Sequence, residues 1–319
     1  AVGLDTGYYR EGWLYPMSGP RPQIVTKDIR DITAEDLQGF DAVAHLAELS
    51  NDPLGQQNPE LTFQINHQGS VRLANEARKA GVKRFVYMSS CSVYGVGKDD
   101  GVLDETSEVN PQTAYAECKV RVENDLTPMN DANFTTCFMR NATAYGASPR
   151  QRFDIVLNDL CGLAWTTKEI KLLSDGKPWR PLVHALDMCQ AIYCALNADQ
   201  DKIAGQRMNV GSTDQNYRVI DIAKIVADEF PDCTLSVGEP SADNRSYRVN
   251  FDKIQKLMPD FKCEWTAEKG AAQLHKVFKA INMTPEIFQA NPYTRLKMLM
   301  KYKADGLLTD DLYWSSSDL

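Results

Sequence analysis

Along the first half of the chain, short apolar runs alternate with stretches whose apolar residues recur at helical spacing. Ala1-Val2-Gly3-Leu4-Asp5 reads as a strand that ends in an acid, Gln23 to Asp28 as a short strand, and Asp41 to Ala47 as another. Arg84-Phe85-Val86-Tyr87-Met88 reads as a buried apolar strand that ends in the hydroxyls of Ser89 and Ser90. Between and after these runs, Thr33 to Phe40, Leu61 to Gly81 and Thr113 to Thr127 carry the helical pattern. Alternation of this kind predicts an α/β fold built on a doubly wound parallel sheet. Ligands on such sheets sit beyond the carboxyl ends of the strands, an edge that Asp5, Asp28, Leu46 to Ser50, Ser89 to Ser92 and Arg140 to Gly146 would line.

The chemistry starts with Tyr115-Ala116-Glu117-Cys118-Lys119, which puts a phenol and an ammonium four residues apart and so on one face of a helix. The positive charge stabilises the phenolate, which suits the phenol to proton transfer. The same spacing occurs three times, at Tyr94 to Lys98, Tyr115 to Lys119 and Tyr293 to Lys297, so context must choose among them. Gly95-Val96-Gly97 after Tyr94 indicates a loop, and Tyr293 follows Asn291-Pro292 and opens what reads as a surface helix. Only Tyr115 follows a hydroxyl-bearing strand at a distance that lets strand, loop and helix return to one cleft. A strand-end serine beside an activated tyrosine can take a proton from an alcohol as hydride leaves its carbon. At the end of the first run, Asp5 can accept from both hydroxyls of an adenosine ribose and repel a 2′-phosphate, which favours NAD over NADP; an exposed turn aspartate is the competing reading.

Composition narrows the class. The chain has 319 residues, with 35 Lys plus Arg against 43 Asp plus Glu and a net charge of -8, which argues against sequence-independent nucleic-acid binding. No apolar run approaches the roughly 20 residues a bilayer span needs, and the start shows no basic-then-apolar signal pattern. Eight cysteines are scattered with no Cys-x-x-Cys pair, the usage of reduced cytoplasmic thiols and not of a disulfide frame or a metal site.

Taken together, Asp28-Ile29-Arg30-Asp31, His45-Leu46-Ala47, Ile65 to Ser70, Ser89 to Gly95, Tyr115 to Lys119, Arg140 to Gly146, Arg180 to Asp187 and Asn209-Val210-Gly211 resemble the extended short-chain dehydrogenase/reductases, specifically the NAD-dependent nucleotide-sugar epimerase/dehydratase group. The match runs in order from the first residues to about Phe251. The resemblance implies a Rossmann domain for NAD over residues 1–150 plus about 183–212. It also implies a smaller nucleotide-sugar lobe over residues 151–182 and 213–319, and pairing into a homodimer. One departure stands out: the family's glycine-rich turn between first strand and first helix, which cradles the cofactor pyrophosphate, has no counterpart here, and residue 1 already falls in the family's second strand. A leading strand, loop and helix are therefore expected to precede residue 1; a fragment with impaired cofactor binding is the alternative.

Carried over by resemblance, Tyr115 is the general base and acid, Lys119 its charged partner and a contact for the nicotinamide ribose, and Ser90 the hydroxyl that orients substrate. The cofactor would be lined by Asp5, Asp28, Ile29, Leu46, Ala47, Leu49 and Ser89 in addition to Tyr115 and Lys119. In 4,6-dehydratases an Asp-Glu pair follows the active hydroxyl, whereas Cys91 and Ser92 stand here, so epimerisation ranks above dehydration. Cys91 is either a small packing residue or a thiol base beside the keto group; GDP-mannose 3,5-epimerases place a cysteine one residue later in this segment. On the substrate side the resemblance assigns Arg180 and Arg245 to the diphosphate, with Ser92, Thr143 and Asn158 as further contacts. His45 and His184 read as structural. The rivals are an NAD(P)-dependent keto-sugar reductase using the same Ser90, Tyr115 and Lys119, and a non-catalytic protein on a Rossmann scaffold.

Overall fold

The computed structural model describes residues 1–50, 52–97, 101–239 and 246–315. Arg245, expected on the substrate diphosphate, and Lys98, from the first Tyr-x-x-x-Lys spacing, lie outside the described residues.

The apolar run becomes the strand Arg84–Ser90, whose Phe85, Val86, Tyr87 and Met88 are buried. It pairs in parallel with Ala42–His45 on one side and Thr135–Asn141 on the other, and Arg207–Val210 extends the sheet beyond Thr135–Asn141. The register sets Ser90 opposite Asn141, which brings the hydroxyls to the carboxyl edge beside a side-chain amide. The first two strands, Val2–Asp5 and Gln23–Thr26, form a separate parallel pair. The doubly wound sheet is thus in two pieces, and Val2–Asp5 and Ala42–His45 each hydrogen-bond to one neighbouring strand only among the described residues. Val2 (42% exposed) and Leu46 (57%) flank that open line, whereas parallel strands are ordinarily covered on both faces.

Helices follow the sequence pattern with two corrections. Leu61 to Gly81 is helical as Pro59–Thr62, a wider π-helical turn Phe63–Gly69, and Ser70–Lys79. Gly69 lets this helix press against Ile29: a β-carbon there would lie 3.0 Å from Ile29 Cδ1. Thr113 to Thr127 is the helix Ala114–Leu126, started by Thr113 Oγ1 accepting from the Ala116 amide. Thr33 to Phe40, by contrast, forms no α-helix. The Asp36 carboxylate accepts from the Thr33 N–H at 2.8 Å and the backbone turns extended again at Gln38, so only the tight turns Ile29–Asp31 and Glu35–Leu37 form. Tyr293 is the second correction: it lies in a tight turn and is buried with its ring 5.7 Å from that of Phe153, not on a surface helix.

In the second half, Trp179–His184 runs between Thr143–Tyr145, parallel, and Asn216–Arg218, antiparallel. The helices Val156–Thr167, Val219–Glu229 and Ala267–Ala280 close a core of Tyr145, Phe153, Leu160 and Phe278 beneath it. The helix Arg295–Ala304 then returns to the first half, where Met298, Leu299 and Tyr302 pack with Tyr8 and Leu312. That return brings Arg295 over the open line in the sheet. All eight cysteines are free thiols. Among the described residues no helix is long and apolar enough to cross a membrane, and no group of three or more His, Cys, Asp or Glu could hold a metal ion.

Candidate active site

Two connected hollows lie beyond the carboxyl ends of the strands. The larger, about 680 Å³, is bordered by Ser89, Ser90, Ser92, Tyr115, Lys119, Thr143 and Arg180. The smaller is bordered by Asp5, Asp28, Ile29, Leu46, Ala47 and Leu49. Leu46, Glu48 and Ser50 border both, so the two adjoin and run from the first strand pair to Tyr115. Most of the residues expected on cofactor and substrate therefore converge, from segments far apart in the chain.

Tyr115 sits in the first turn of its helix and Lys119 one turn on, with the Lys119 Nζ 5.2 Å from the centre of the Tyr115 ring and 4.6 Å from that of Tyr87. Lys119 is buried, donates to the Met88 carbonyl, and forms a 2.6 Å ion pair with Glu48, itself held by a 2.5 Å hydrogen bond from the Tyr87 hydroxyl. Burial works against the ammonium, but the Glu48 carboxylate outweighs it, so Lys119 titrates above the ordinary lysine range. Ser90 Oγ accepts from the Ser92 amide at 3.1 Å, which starts the tight turn Cys91–Tyr94. Gly95 ends that turn at φ +61°, where a β-carbon would run into the Asn110 carbonyl.

Several candidates are placed differently from expectation. The Cys91 side chain is in the core among Val86, Met139 and Val210, its thiol donating to the Arg140 carbonyl at 3.2 Å. Burial pushes that thiol well above its usual range, so the arrangement counts against Cys91 as a base. Ser89 borders the cavity, yet its hydroxyl donates at 2.6 Å to Glu123, which is clamped by Arg140 and Arg207. Asn158 does not border the cavity. It is buried and staples a loop, accepting from the Gly146 amide and donating to the Gly146 and Arg152 carbonyls. Asp28 is engaged by Arg30 through both carboxylate oxygens, and Asp5 accepts from the Gly7 amide at 2.6 Å. His45 is buried against Ser70, and His184 caps the following helix and stacks on Trp265 at 4.0 Å.

The family model described as the NAD dependent epimerase/dehydratase family matches residues 14–211. The chain belongs to that family. Among its relatives, the dTDP-D-glucose 4,6-dehydratase of Mus musculus is 27% identical over 191 residues, 59% of this chain and 52% of that protein. The aligned stretch thus spans about half the length of that relative. A UDP-glucose 4-epimerase of Lacticaseibacillus casei is 24% identical over 274 residues, 75% of this chain and 82% of that protein. In fold, the crystal structure of DesIV, a dTDP-glucose 4,6-dehydratase from Streptomyces venezuelae with NAD and TYD bound, matches at a TM-score of 0.76 and 22% identity, covering 90% of this chain and 89% of that one.

The structure also gives individual roles in the local architecture to residues that the sequence pattern had placed only within longer segments. Glu48 lies in the Leu46 to Ser50 segment, and nothing in its spacing announces that it will meet Lys119. Asn66, inside the π-helical turn, fixes the Leu49 backbone by accepting from its amide at 2.8 Å and donating to its carbonyl at 3.1 Å. Asn141 borders the larger hollow and its Oδ1 has no hydrogen-bond partner among the described residues, as is true of Ser92 Oγ. Its place in the Arg140 to Gly146 segment, expected on the carboxyl edge, was the available signal, and the register opposite Ser90 makes it specific.

Proposed function

We propose that this chain is an NAD-dependent epimerase acting on a nucleotide diphosphate sugar through a transient keto sugar. The observation that carries it is the convergence of Ser90, Tyr115, Lys119 and Arg180 on one cavity, continuous with a cleft bordered by Asp5, Asp28 and Leu46 to Ser50. That cleft fits a dinucleotide: an acid at one end for ribose hydroxyls, apolar Ile29, Leu46, Ala47 and Leu49 along it, and the Tyr115–Lys119 pair at the other. NAD, when bound there, supplies hydride uptake and return. The chain's own part is acid–base and positional. Tyr115 takes the proton of a sugar hydroxyl and later gives it back, Lys119 holds positive charge beside the phenol, and Ser90 orients the hydroxyl. Arg180, with a planar fork suited to phosphate oxygens, grips the diphosphate. The unpartnered Ser92 hydroxyl and Asn141 carbonyl oxygen serve as sugar contacts. By the same reading, residues 1–150 with about 183–212 carry the cofactor, the remainder carries the sugar nucleotide, and two copies pair through the Tyr115 helix.

Dehydration is the second reading, favoured by the dehydratase names among the relatives. It needs an acid and a base after the active hydroxyl, where Cys91 is buried and Ser92 is not ionisable. The carboxylates that border the cavity, Glu48 and Asp154, are tied to Lys119 and Arg152. The test is a panel of nucleotide sugars incubated in heavy water. Inversion without carbon-bound deuterium is the expected result, and loss of water would overturn epimerisation in favour of dehydration. Tyr115→Phe should lower kcat roughly 10²- to 10⁴-fold with nucleotide-sugar affinity unchanged; an equal loss of binding would assign Tyr115 to recognition instead.

A further inference from the structure

Arg295 is the first residue of the helix Arg295–Ala304 and borders the cleft that also holds Asp5, Asp28 and Glu48. Its guanidinium makes no hydrogen bond and no ion pair among the described residues. The contacts it does have are the Tyr9 ring, with Cζ 3.8 Å from the ring centre, and a main-chain hydrogen bond in which its amide donates to Asp154. The carboxylates nearby are committed elsewhere: Asp28 to Arg30, Glu48 to Lys119, Asp5 to the Gly7 amide, and Asp154 to Arg152. Burial, reinforced by the like charge of Arg152, holds Arg295 down at about 10. A largely desolvated cation with five unused donors is costly unless an anion is there to meet it.

Arg152 stands on the other side of the same junction. It borders the Tyr115 cavity, pairs with Asp154 at 2.8 Å and donates to Ser50 Oγ at 3.3 Å, and Ser50 borders both hollows. Two guanidiniums therefore converge where the two hollows join, Arg152 close enough to act on Arg295, with Arg295 left without an anion among the described residues. Their forks match the paired oxygens of a phosphate. A single phosphate would need one fork; two forks at the junction between a ribose-type acid and Tyr115 fit a group with two.

We infer that Arg295, assisted by Arg152, is a diphosphate-binding site at the junction of the two hollows. This rests on the reading of the cleft as a dinucleotide and sugar-nucleotide site. The diphosphate belongs either to the cofactor or to the sugar nucleotide, and both are diphosphate esters of a nucleoside. The experiment is isothermal titration calorimetry of the unliganded protein and of Arg295→Met, Arg295→Gln and Arg295→Lys, with ADP and UDP as probes and adenosine and uridine as phosphate-free controls.

Loss of one charge-assisted fork should weaken the affected diphosphate about 10- to 100-fold, leave the nucleosides unchanged, and be only partly restored by lysine. A loss confined to ADP assigns the site to the cofactor, and a loss confined to UDP assigns it to the sugar nucleotide; either supports the inference. Because the unliganded protein carries a partly buried charge with no anion beside it among the described residues, Arg295→Met should melt at or above the wild-type temperature. ADP and UDP affinities equal to wild type in Arg295→Met overturn the inference and leave the proposed function standing. A wild type that binds neither probe overturns both. An Arg295→Met that melts well below wild type and has lost binding overturns it as well, by making Arg295 a structural residue.

Discussion

Replacing Glu48 by glutamine keeps its volume and an acceptor for the Tyr87 hydroxyl but removes the charge that faces Lys119. The two charged atoms are 2.6 Å apart, and at an effective dielectric of about 20 unit charges at that separation attract by about 6 kcal/mol. Glu48 no longer pays its own desolvation in the variant, so part of this is recovered. The net loss expected on removing one member of a buried pair is about 3–5 kcal/mol, a fall in Tm on the order of 10 °C. The pH dependence should change sign as well. In the wild type, Lys119 is held above its usual range, so its contribution to stability is present at neutral pH and disappears only as pH rises through that elevated value. In Glu48→Gln burial, the largest influence on Lys119, is no longer opposed by Glu48, the folded state binds the Lys119 proton more weakly than the unfolded state, and stability should rise with pH by up to about 1.4 kcal/mol per unit. Urea unfolding followed by circular dichroism at pH 7, 8 and 9 reads both effects. The double variant Glu48→Gln/Lys119→Met removes the orphaned charge and should be more stable than Glu48→Gln alone. If the double variant is no more stable, or if the single variant keeps the wild-type pH dependence, the buried pair does not organise this site.

Two further outcomes follow from buried groups. Cys91→Ala should leave turnover within about threefold and cost roughly 1 kcal/mol of stability from the lost side-chain volume; a hundredfold loss of kcat with nucleotide still bound would restore the thiol as a base. His45, whose burial lowers its pKa to about 3, stays neutral in the folded protein while the unfolded chain takes up a proton below about 6.5. Its stabilising contribution is therefore present above that pH and lost as pH falls towards the folded value, about 2 kcal/mol between pH 7.5 and 5. His45→Gln should show that much less acid sensitivity in urea unfolding, and identical slopes for the two proteins would remove His45 as the cause.

The local pattern of the first half determined four of its strands, two of the three helical stretches expected there and the pairing of Tyr115 with Lys119, because these depend on spacing along one element. Period and apolarity locate Arg84–Ser90, and a four-residue step on a helix needs no tertiary partner. The same reasoning failed at Thr33 to Phe40, where side-chain to backbone bonds from Asp36 compete with helix over a run too short to resist them. It also misplaced Tyr293, whose burial depends on Phe153 from another part of the chain. What a side chain faces is a matter of three dimensions. Cys91 follows Ser90 directly, yet the tight turn started by Ser90 sends its thiol into the core, and Asn158 spends its amide on a loop. Glu48 meets Lys119 only because the strand Ala42–His45, which leads into Glu48, lies beside Arg84–Ser90, and the helix Ala114–Leu126 lays Lys119 against Met88 of that strand. Arg295 reaches the cleft only because the last helix folds back across nearly the whole chain. Those charges come from segments far apart in sequence, and their burial, which sets the strength of each interaction, exists only once the core has closed around them.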